Sequence, residues 1–192
     1  MPSLVEAVVP PGTLGEVAQP VIRSEGLVLR PWAESDIPVL VGAYQDPDIQ
    51  RWHLRMMTAG EALVWVHSWT GRWASEIACD WAVEIEGKVH GRIGLRLKLG
   101  EGFGEVGYWV LPAARGQGVA PKALAALSEW AFDEVGLHRL ELQHSTQNVS
   151  SCRVAEKADY LLESTRRSSL LHVDGWHDMH VHVRIAGAAA AV

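Results

Sequence analysis

Hydrophobic positions along the chain follow two different spacings, which predict a domain that mixes strands with helices. Runs of β-branched and large apolar residues at 27–32, 79–85 and 88–99 predict strands, because such side chains suit a pleated, half-buried surface. Apolar residues recur at steps of three and four after Thr58 and after Gly118, and this spacing predicts amphipathic helices. The pattern therefore predicts an α/β fold in which helices cover a sheet.

The segment 105–121 predicts a strand, a tight loop and the first turn of a helix. Its apolar run ends at Pro112, which stops a strand because proline has no N–H to donate to the ladder. Gly116 and Gly118 follow, and glycine is favoured where the backbone turns sharply or approaches a ligand closely. A helix that starts there presents unpaired N–H groups and the positive end of its dipole, which predicts a phosphate site. For the loop alone, a helix cap that binds no ligand is an equally good interpretation.

The remaining pattern completes the sheet and its helices. Thr58 and Glu61 have the spacing of a capping box and predict the start of a helix. The predicted buried face of that helix carries Leu63, Val66, Trp69 and Trp73. Further helices are predicted at 34–44, 119–135 and 148–157, and further strands at 138–144, 160–173 and 176–185. A turn is predicted at 46–48, with the start of a short helix at 49–52. The predicted fold class is a mixed, mainly antiparallel sheet of about six or seven strands with helices on both faces.

The chain is predicted to form a single domain at 23–186. Its 192 residues, 48% of them hydrophobic, are enough for one sizeable core. Residues 1–22 contain Pro2, Pro10, Pro11 and Pro20 and predict a flexible extension that is either mobile or draped over the domain. Residues 187–192 are small and predict a disordered tail.

Charge and composition narrow the environment and the partners. The formal net charge is −6, so no general attraction to nucleic acid is expected. No run approaches the roughly 20 apolar residues of a membrane helix, and the first residues lack the basic start of a signal peptide. The two cysteines, Cys79 and Cys152, do not make a disulfide framework. We therefore expect a cytoplasmic protein with reduced thiols and no membrane or nucleic-acid partner.

Two motifs, together with their order along the chain, carry a resemblance to a known family. The loop 115–120 fits a pattern of Arg or Gln, any two residues, Gly, any one residue, and then Gly or Ala. Arg115, Gly118 and Ala120 occupy the three fixed places of this pattern. The segment 148–157 has Asn148, a serine three residues later and then Arg-Val-Ala-Glu-Lys. Taken in order over roughly residues 26–185, these features resemble the GNAT superfamily of N-acetyltransferases, and within it the Rim-type branch that modifies ribosomal-protein N-termini.

The resemblance implies the GNAT fold and a site for acetyl-coenzyme A as co-substrate. It places the oxyanion donor on the strand around Val110 or Leu111, where the sheet splays. Asn148 is expected to cap its helix and also to meet the pantetheine arm, with the cap alone as the alternative. The positions implied to bind the cofactor are Val110, Leu111, Arg115, Gly116, Gln117, Gly118, Val119, Ala120, Asn148, Ser151, Arg153 and Lys157.

Catalytic residues are implied by the same resemblance. Glu105 is expected to act as the general base for the attacking amine, with a surface carboxylate that only orients substrate as the alternative. Many members of the family use a tyrosine as the acid, seven residues after the asparagine, where this chain has Ala155. Ser151 is the expected substitute near the departing sulfur. Trp52, Trp65 and Tyr108 are expected in the acceptor pocket, with core packing as the alternative for each.

Two features remain: one residue that departs from the family pattern, and a group of three histidines. The family usually has glycine where this chain has Asp159, and we expect the turn to survive because Asp tolerates a left-handed conformation. His177, His180 and His182 invite a metal interpretation, because His180 and His182 would share one face of a strand. No carboxylate or cysteine accompanies them at a convincing spacing. We therefore expect an ordinary sheet face and no metal.

The expected function is transfer of an acetyl group to a primary amine by direct attack on the thioester. The acceptor is expected to be either the α-amine of a protein N-terminus or a small-molecule amine. A non-catalytic acyl-coenzyme A-binding module of the same fold is the alternative. A homodimer is left open.

Overall fold

An eight-stranded sheet organises residues 4–187, the part of the chain that the computed structural model describes. In chain order its strands are β1 (Ile22–Ser24), β2 (Leu27–Arg30), β3 (Ala78–Ile85), β4 (Lys88–Lys98), β5 (Phe103–Val110), β6 (Arg139–Ser145), β7 (Leu161–His172) and β8 (Gly175–Ile185). They lie in the order β1-β2-β3-β4-β5-β6-β8-β7, and every neighbouring pair is antiparallel except β5 with β6. The predicted fold class is confirmed. The strand beyond the predicted number is β1, which begins inside the segment predicted as an extension.

Helices cover both faces of the sheet, as predicted. They are α1 (Ile37–Ala43), α2 (Pro47–His53), α3 (Ala59–Ala74), α4 (Val119–Asp133) and α5 (Val149–Lys157). On one face, Leu124 and Leu127 of α4 and Ala155 of α5 belong to a core with Trp81 of β3. On the other face, residues of α1, α2 and α3 pack with Trp109 of β5. The alternation of side chains along β3 and β5 supplies both cores.

The parallel pair of β5 and β6 is short, and the two strands then separate. Phe103–Val106 of β5 pair with residues 139–142 of β6. Beyond Val106, β5 continues to pair with β4 through Val110, and β6 continues to pair with β8 through Ser145. A wedge therefore opens between the two strands, and the backbone groups of β5 that face β6 lose their ladder partners there.

The predicted extension lies against the domain over most of its described length. Three backbone N–H groups, of Gly12, Leu14 and Gly15, donate to the carboxylate of Glu76 at 2.8, 2.7 and 3.2 Å. Val9 and Leu14 are buried in the core. These contacts are those expected of a draped segment. The predicted tail falls almost entirely on residues 188–192, outside the described residues.

The third helix shows where the predicted pattern was right and where it was wrong. The capping box is confirmed, since Thr58 accepts from the Glu61 N–H and Glu61 accepts from the Thr58 N–H. Its buried residues are Ala62, Val66, Trp69 and Trp73, so Ala62 takes the place predicted for Leu63, which is exposed. Ala62 lies four residues before Val66, and Leu63 lies three residues before it. In this helix the step of four keeps Ala62 in line with the buried row better than the step of three would keep Leu63.

Two further local predictions meet the structure. Asp46, Pro47 and Asp48, predicted as a turn, form the start of α2: the Asp46 carboxylate accepts from the Ile49 N–H at 2.9 Å and Pro47 is the first helical residue. Proline is favoured there, because its missing N–H has no partner in a first turn. Asp159 adopts φ 60°, so the left-handed turn survives without glycine, as predicted.

Candidate functional site

The wedge between β5 and β6 opens into a cavity of about 570 Å³. Its walls are α2, the end of β5, the glycine loop with the first turn of α4, and α5. Of the predicted site residues, those on α5 (Asn148, Ser151, Arg153 and Lys157), those on β5 (Tyr108 and Val110) and Trp52 of α2 line this cavity. The wedge therefore brings groups together that are about a hundred residues apart in sequence.

The β5 wall presents backbone rather than side chains. The Leu111 N–H donates to the His90 carbonyl at 2.8 Å, so it belongs to the ladder with β4. Because successive residues of a strand direct their N–H groups to opposite sides, the Val110 N–H points away from β4 and into the wedge. The carbonyl of Tyr108 faces the same way and is bonded to His53 Nε2 at 2.9 Å. Of the two predicted oxyanion donors, Val110 is the one so directed, and Leu111 does not line the cavity.

The glycine loop forms the second wall. Gly116 and Gly118 have φ of 76° and 77°, and a Cβ added to either would meet nothing within 4 Å. Gly118 is the N-cap of α4, so the first N–H groups of this 15-residue helix face the cavity beside Val119 and Ala120. Unpaired N–H groups at the positive end of a helix dipole favour an anion. Gln117 does not line the cavity, because its amide donates to the Ala113 carbonyl at 2.8 Å.

Arg115 ties the glycine loop to α2. Its guanidinium lies 2.7 Å from the Asp48 carboxylate and 3.1 Å from that of Asp46, and its Nε donates to the Val110 carbonyl at 3.3 Å. Arg115 lines the cavity while it makes these contacts. The side chain therefore holds two walls of the cavity together.

The α5 wall combines a helix cap, a buried hydroxyl and two cations. Asn148 Oδ1 accepts from the Ser151 N–H at 3.1 Å, so the predicted cap is confirmed. The Ser151 hydroxyl is buried and bonded to the Tyr108 hydroxyl at 2.9 Å. Arg153 and Lys157 are exposed, four residues apart on one face of the helix, and both line the cavity. This wall therefore offers two hydroxyls in the interior and two positive charges at the rim.

Burial keeps the Tyr108 hydroxyl protonated. A phenolate is poorly solvated in this buried position, so burial raises the pKa of Tyr108 to about 12, although the hydrogen bond with Ser151 opposes the shift. Tyr108 is therefore a hydrogen-bond donor across the neutral pH range.

Glu105 lies outside the cavity. It precedes Tyr108 by three residues, about 10 Å along the strand, and its carboxylate is 3.6 Å from the Arg96 guanidinium. Between Glu105 and Trp109, on the same face of β5, a Cβ added to Gly107 would meet nothing within 4 Å. This face of β5 is therefore open at Gly107, between Glu105 and the end of the strand.

The two tryptophans predicted in the acceptor pocket lie in different places. Trp52 lines the cavity, with the Arg51 guanidinium 4.7 Å from its ring centre and the His172 ring 6.0 Å away. Trp65 does not line it, because its ring packs edge-on against Trp32 and Trp69 at 5.6 and 5.1 Å. Trp65 thus packs, partly buried, against the core beneath α3, which agrees with the alternative interpretation.

His53 is a cavity residue that the sequence reasoning missed. It lines the cavity at the end of α2, and burial, with nearby Arg92, lowers its pKa to about 4. The ring is therefore neutral at pH 7, with Nε2–H donating to Tyr108 and a lone pair on Nδ1. The available signal was its position one helical turn after Ile49, the buried residue of α2.

The comparisons with known proteins agree with this geometry. A family model described as "Acetyltransferase (GNAT) domain" matches residues 26–160. The chain therefore belongs to the GNAT acetyltransferase family. No helix within residues 4–187 is long and apolar enough to cross a membrane.

Individual relatives are similar over part of the chain. The probable N-acetyltransferase YjcK of Bacillus subtilis (strain 168) is 33% identical over 76 residues, 40% of this chain and 42% of YjcK. YdaF of the same organism is 33% identical over 73 residues, 38% of this chain and 39% of its own length. The chain thus spans about two fifths of the length of each of these curated relatives.

Solved structures extend the likeness to the whole fold. RimL, a ribosomal L7/L12 alpha-N-protein acetyltransferase solved in complex with coenzyme A, matches with a TM-score of 0.81 at 20% identity. The match covers 88% of this chain and 100% of that chain. The predicted membership of the GNAT superfamily, with Rim-type resemblance, is confirmed.

The neutral state of His53 predicts a loss of stability in acid. The unfolded chain binds a proton on this residue below pH 6.5, whereas the folded chain binds it only below about pH 4. The contribution to stability is therefore complete above pH 6.5 and is lost as the pH falls to about 4. The lowering of the His53 pKa corresponds to roughly 3 kcal/mol of unfolding free energy.

Urea unfolding of the wild type and of His53→Gln across this pH range measures the effect. We expect the His53→Gln variant to lose less unfolding free energy than the wild type between pH 6.5 and 4. Equal slopes for the wild type and His53→Gln would contradict the assignment.

Proposed function

We propose that the chain is an acetyl-coenzyme A-dependent N-acetyltransferase that acts on a primary amine. The observation that carries this proposal is the convergence, on one wedge, of the Val110 N–H, the N-terminus of α4 and the Ser151–Tyr108 hydroxyl pair. These are the groups that a thioester carbonyl, a pyrophosphate and a thiol sulfur require, respectively.

The glycine loop is the part of the site that fits the phosphates. Positive φ at Gly116 and Gly118 turns the backbone towards the cavity, and no side chain fills the space where their Cβ atoms would lie. Arg153 and Lys157 add positive charge at the rim. Acetyl-coenzyme A, the co-substrate, supplies the acetyl group as a thioester. Arg115 supports the loop through its ion pairs with Asp46 and Asp48 and contributes one more positive charge nearby.

The thioester carbonyl is activated by backbone. A carbonyl oxygen gains negative charge as the amine attacks, and a fixed N–H that points at it stabilises that charge. Val110 supplies the N–H on the wedge side of β5. Its strand is held by the ladder with β4 through Leu111, so the donor does not have to reorganise during the reaction.

Ser151 and Tyr108 serve the leaving sulfur by hydrogen bonding. A thiol has a pKa of about 8.5, whereas the pKa of Tyr108 is about 12, so proton transfer from the tyrosine to a thiolate is uphill. The hydroxyl pair can still donate a hydrogen bond that stabilises the thiolate. This pair takes the place of the tyrosine that the family usually carries at the position of Ala155.

Glu105 is proposed to take the proton of the acceptor amine through water. His53 is nearer to the cavity, but its burial disfavours a positive charge on the ring, so a proton there is costly. Glu105 becomes neutral when it accepts a proton, and its side chain is 35% exposed, so it can pass the proton on to solvent. The open space over Gly107 is the proposed route by which water carries the amine proton to Glu105.

The acceptor is proposed to enter over α2. Trp52 and Asp48 line the cavity on that side, and His172 at the end of β7 contacts the Trp52 ring. An aromatic ring beside a carboxylate suits an amine that arrives as a cation. Such an amine would compete with the Arg51 guanidinium at the Trp52 ring and with Arg115 at Asp48. A protein N-terminal α-amine and a small-molecule amine both meet this description.

A thiol-release assay across a broad panel of amines tests the function. The panel should include N-terminal peptides, amino acids, polyamines and aminoglycosides. We expect amine-dependent release of coenzyme A from acetyl-coenzyme A, with acetylated product found by mass spectrometry. Tight binding of acetyl-coenzyme A without turnover on any amine would instead favour a non-catalytic binding module.

Gly118→Val tests the phosphate loop. A β-branched side chain at φ 77° is strained and places a methyl group where the pyrophosphate is proposed to lie, so coenzyme A affinity should fall by tenfold or more, at least about 1.4 kcal/mol. Isothermal titration calorimetry measures the change. Gly87→Val is the matched control, because Gly87 has φ 75° and equal open space but lies in the turn between β3 and β4. Unchanged affinity in Gly118→Val would remove the loop from the site.

Tyr108→Phe tests the hydroxyl pair. Removing a hydrogen bond to a developing thiolate should lower kcat by roughly tenfold while coenzyme A affinity changes little, because the bond strengthens only as charge develops. Tyr160→Phe is the control, since the Tyr160 hydroxyl bonds Ser128 at 2.7 Å in the core, away from the cavity. An unaltered kcat in Tyr108→Phe, or an equal loss in both variants, would argue against this role.

A further inference from the structure

Three histidines and one cysteine meet on the face of the sheet that α5 covers. His144 of β6 lies directly opposite His180 of β8, and His182 follows on the same face of β8. Cys152 of α5 completes the group. One potential ligand atom from each residue lies within 4.8 Å of those of the other three.

This cluster corrects the basis on which a metal was not expected. His180 and His182 were predicted to lack a cysteine partner, but Cys152 Sγ lies 3.7 Å from His182 Nε2. The separation in sequence hid the contact, which depends on α5 packing over β6 and β8. His177, considered with them, is not in the cluster, because its ring nitrogens are bonded to Ser145 and Asp174 at 2.8 Å.

The histidines direct lone pairs into the cluster. His144 Nδ1 is bonded to the Ser145 carbonyl at 2.8 Å, so it carries the proton and leaves a lone pair on Nε2. His144 Nε2 and His180 Nδ1 are both buried, and neither has a hydrogen-bond partner among residues 4–187. Buried polar atoms are normally paired, so two such nitrogens in one cluster indicate a missing ligand. His144 itself is 5% exposed.

His182 is held in the same way. Its Nδ1 is bonded to the Tyr160 carbonyl at 3.3 Å, which leaves Nε2 facing Cys152. The backbone carbonyls behind the His144 and His182 rings form the arrangement that fixes the tautomer and orientation of metal-binding histidines.

We propose that His144, Cys152, His180 and His182 bind one divalent cation of the zinc type through three nitrogens and one sulfur. Zinc–nitrogen bonds of about 2.0–2.1 Å and zinc–sulfur bonds of about 2.3 Å give tetrahedral edges of about 3.3–3.6 Å. The Cys152–His182 distance of 3.7 Å is close to such an edge, and the four potential ligand atoms all lie within 4.8 Å of one another. Imidazole and thiolate together favour zinc over magnesium or calcium, which prefer oxygen.

Binding of the cation requires one proton to leave and no electron transfer. A cysteine binds zinc as the thiolate, so the proton on the Cys152 sulfur has to leave. The S–H bond breaks as the sulfur–metal bond forms, and the proton passes to solvent. Glu156, 3.6 Å from the sulfur, is placed to accept that proton on its way.

The proposed cation site adjoins the α5 wall of the cavity but is not part of the cavity lining. None of its four residues is among those that line the cavity, but Cys152 directly follows Ser151. A bound cation would fasten the first turn of α5 to β6 and β8 and so fix the position of the Ser151 hydroxyl. The proposal does not rest on the acetyltransferase function, and its test does not measure activity.

Cobalt(II) substitution is the first test, because a thiolate ligand and a tetrahedral site each have an absorption signature. Protein stripped with a chelator and then dialysed should bind one equivalent of Co²⁺, with intense visible d–d bands and a thiolate-to-cobalt charge-transfer band that Zn²⁺ abolishes. In Cys152→Ala the charge-transfer band should vanish. Absence of stoichiometric binding, or a charge-transfer band that survives in Cys152→Ala, would overturn the proposal.

Zinc affinity and thermal stability form the second test. Cys152→Ala and His180→Gln should each weaken Zn²⁺ binding by about 100-fold or more, since even outer-shell partners of zinc contribute about 10- to 100-fold. Zn²⁺ should raise the Tm of the wild type and of the controls, Cys79→Ala and His67→Gln, but not that of the two cluster variants. Circular dichroism shows that each variant is folded. An equal rise of Tm in all five proteins would place the cation elsewhere and contradict the proposal.

Discussion

The separation of β5 from β6 after a short parallel pairing is the constraint on which the rest of the structure depends. A strand that leaves its neighbour exposes backbone donors and acceptors, which must find other partners. Here the exposed carbonyls are satisfied by side chains: His53 bonds that of Tyr108, and Arg115 bonds that of Val110. The Val110 N–H is left directed into the wedge. Side chains therefore satisfy the exposed carbonyls of β5, whereas its Val110 N–H remains available to a ligand.

The same separation explains the positions of the surrounding helices. The N-terminus of α4 follows β5 through a loop that two glycines at positive φ allow, and the N-terminus of α5 follows β6 through the Asn148 cap. Both helices therefore begin at the open end of the wedge. Arg115 then fastens α2 across the gap through Asp46 and Asp48, which closes the third side.

Much of the fold and of the candidate site could be predicted, because these features depend on local sequence signals. The glycine loop, the Asn148 cap, the capping box at Thr58 and the left-handed Asp159 each depend on residues within a few positions of one another. The order of these signals was enough to predict the family. Contacts between distant segments left no such trace: His53 against the Tyr108 carbonyl, Trp65 against Trp32, and Cys152 beside His182 all follow from tertiary packing.

The histidines show why periodicity alone was insufficient. Alternation along β8 correctly placed His180 and His182 on one face, but it could not indicate what covers that face. His144 comes from a different strand and Cys152 from a helix, so the group exists only once β6, β8 and α5 have packed together. The candidate site of acetyl transfer and the proposed cation site are thus neighbours on the same helix, joined at Ser151 and Cys152.

A crystal structure of the protein with coenzyme A tests the central claim most directly. The account predicts that the pyrophosphate lies on the N–H groups at the start of α4, that the pantetheine arm enters the wedge beside Val110, and that the sulfur lies within hydrogen-bond reach of Ser151 or Tyr108. Coenzyme A bound outside the wedge, or a wedge closed by continued pairing of β5 with β6, would contradict it.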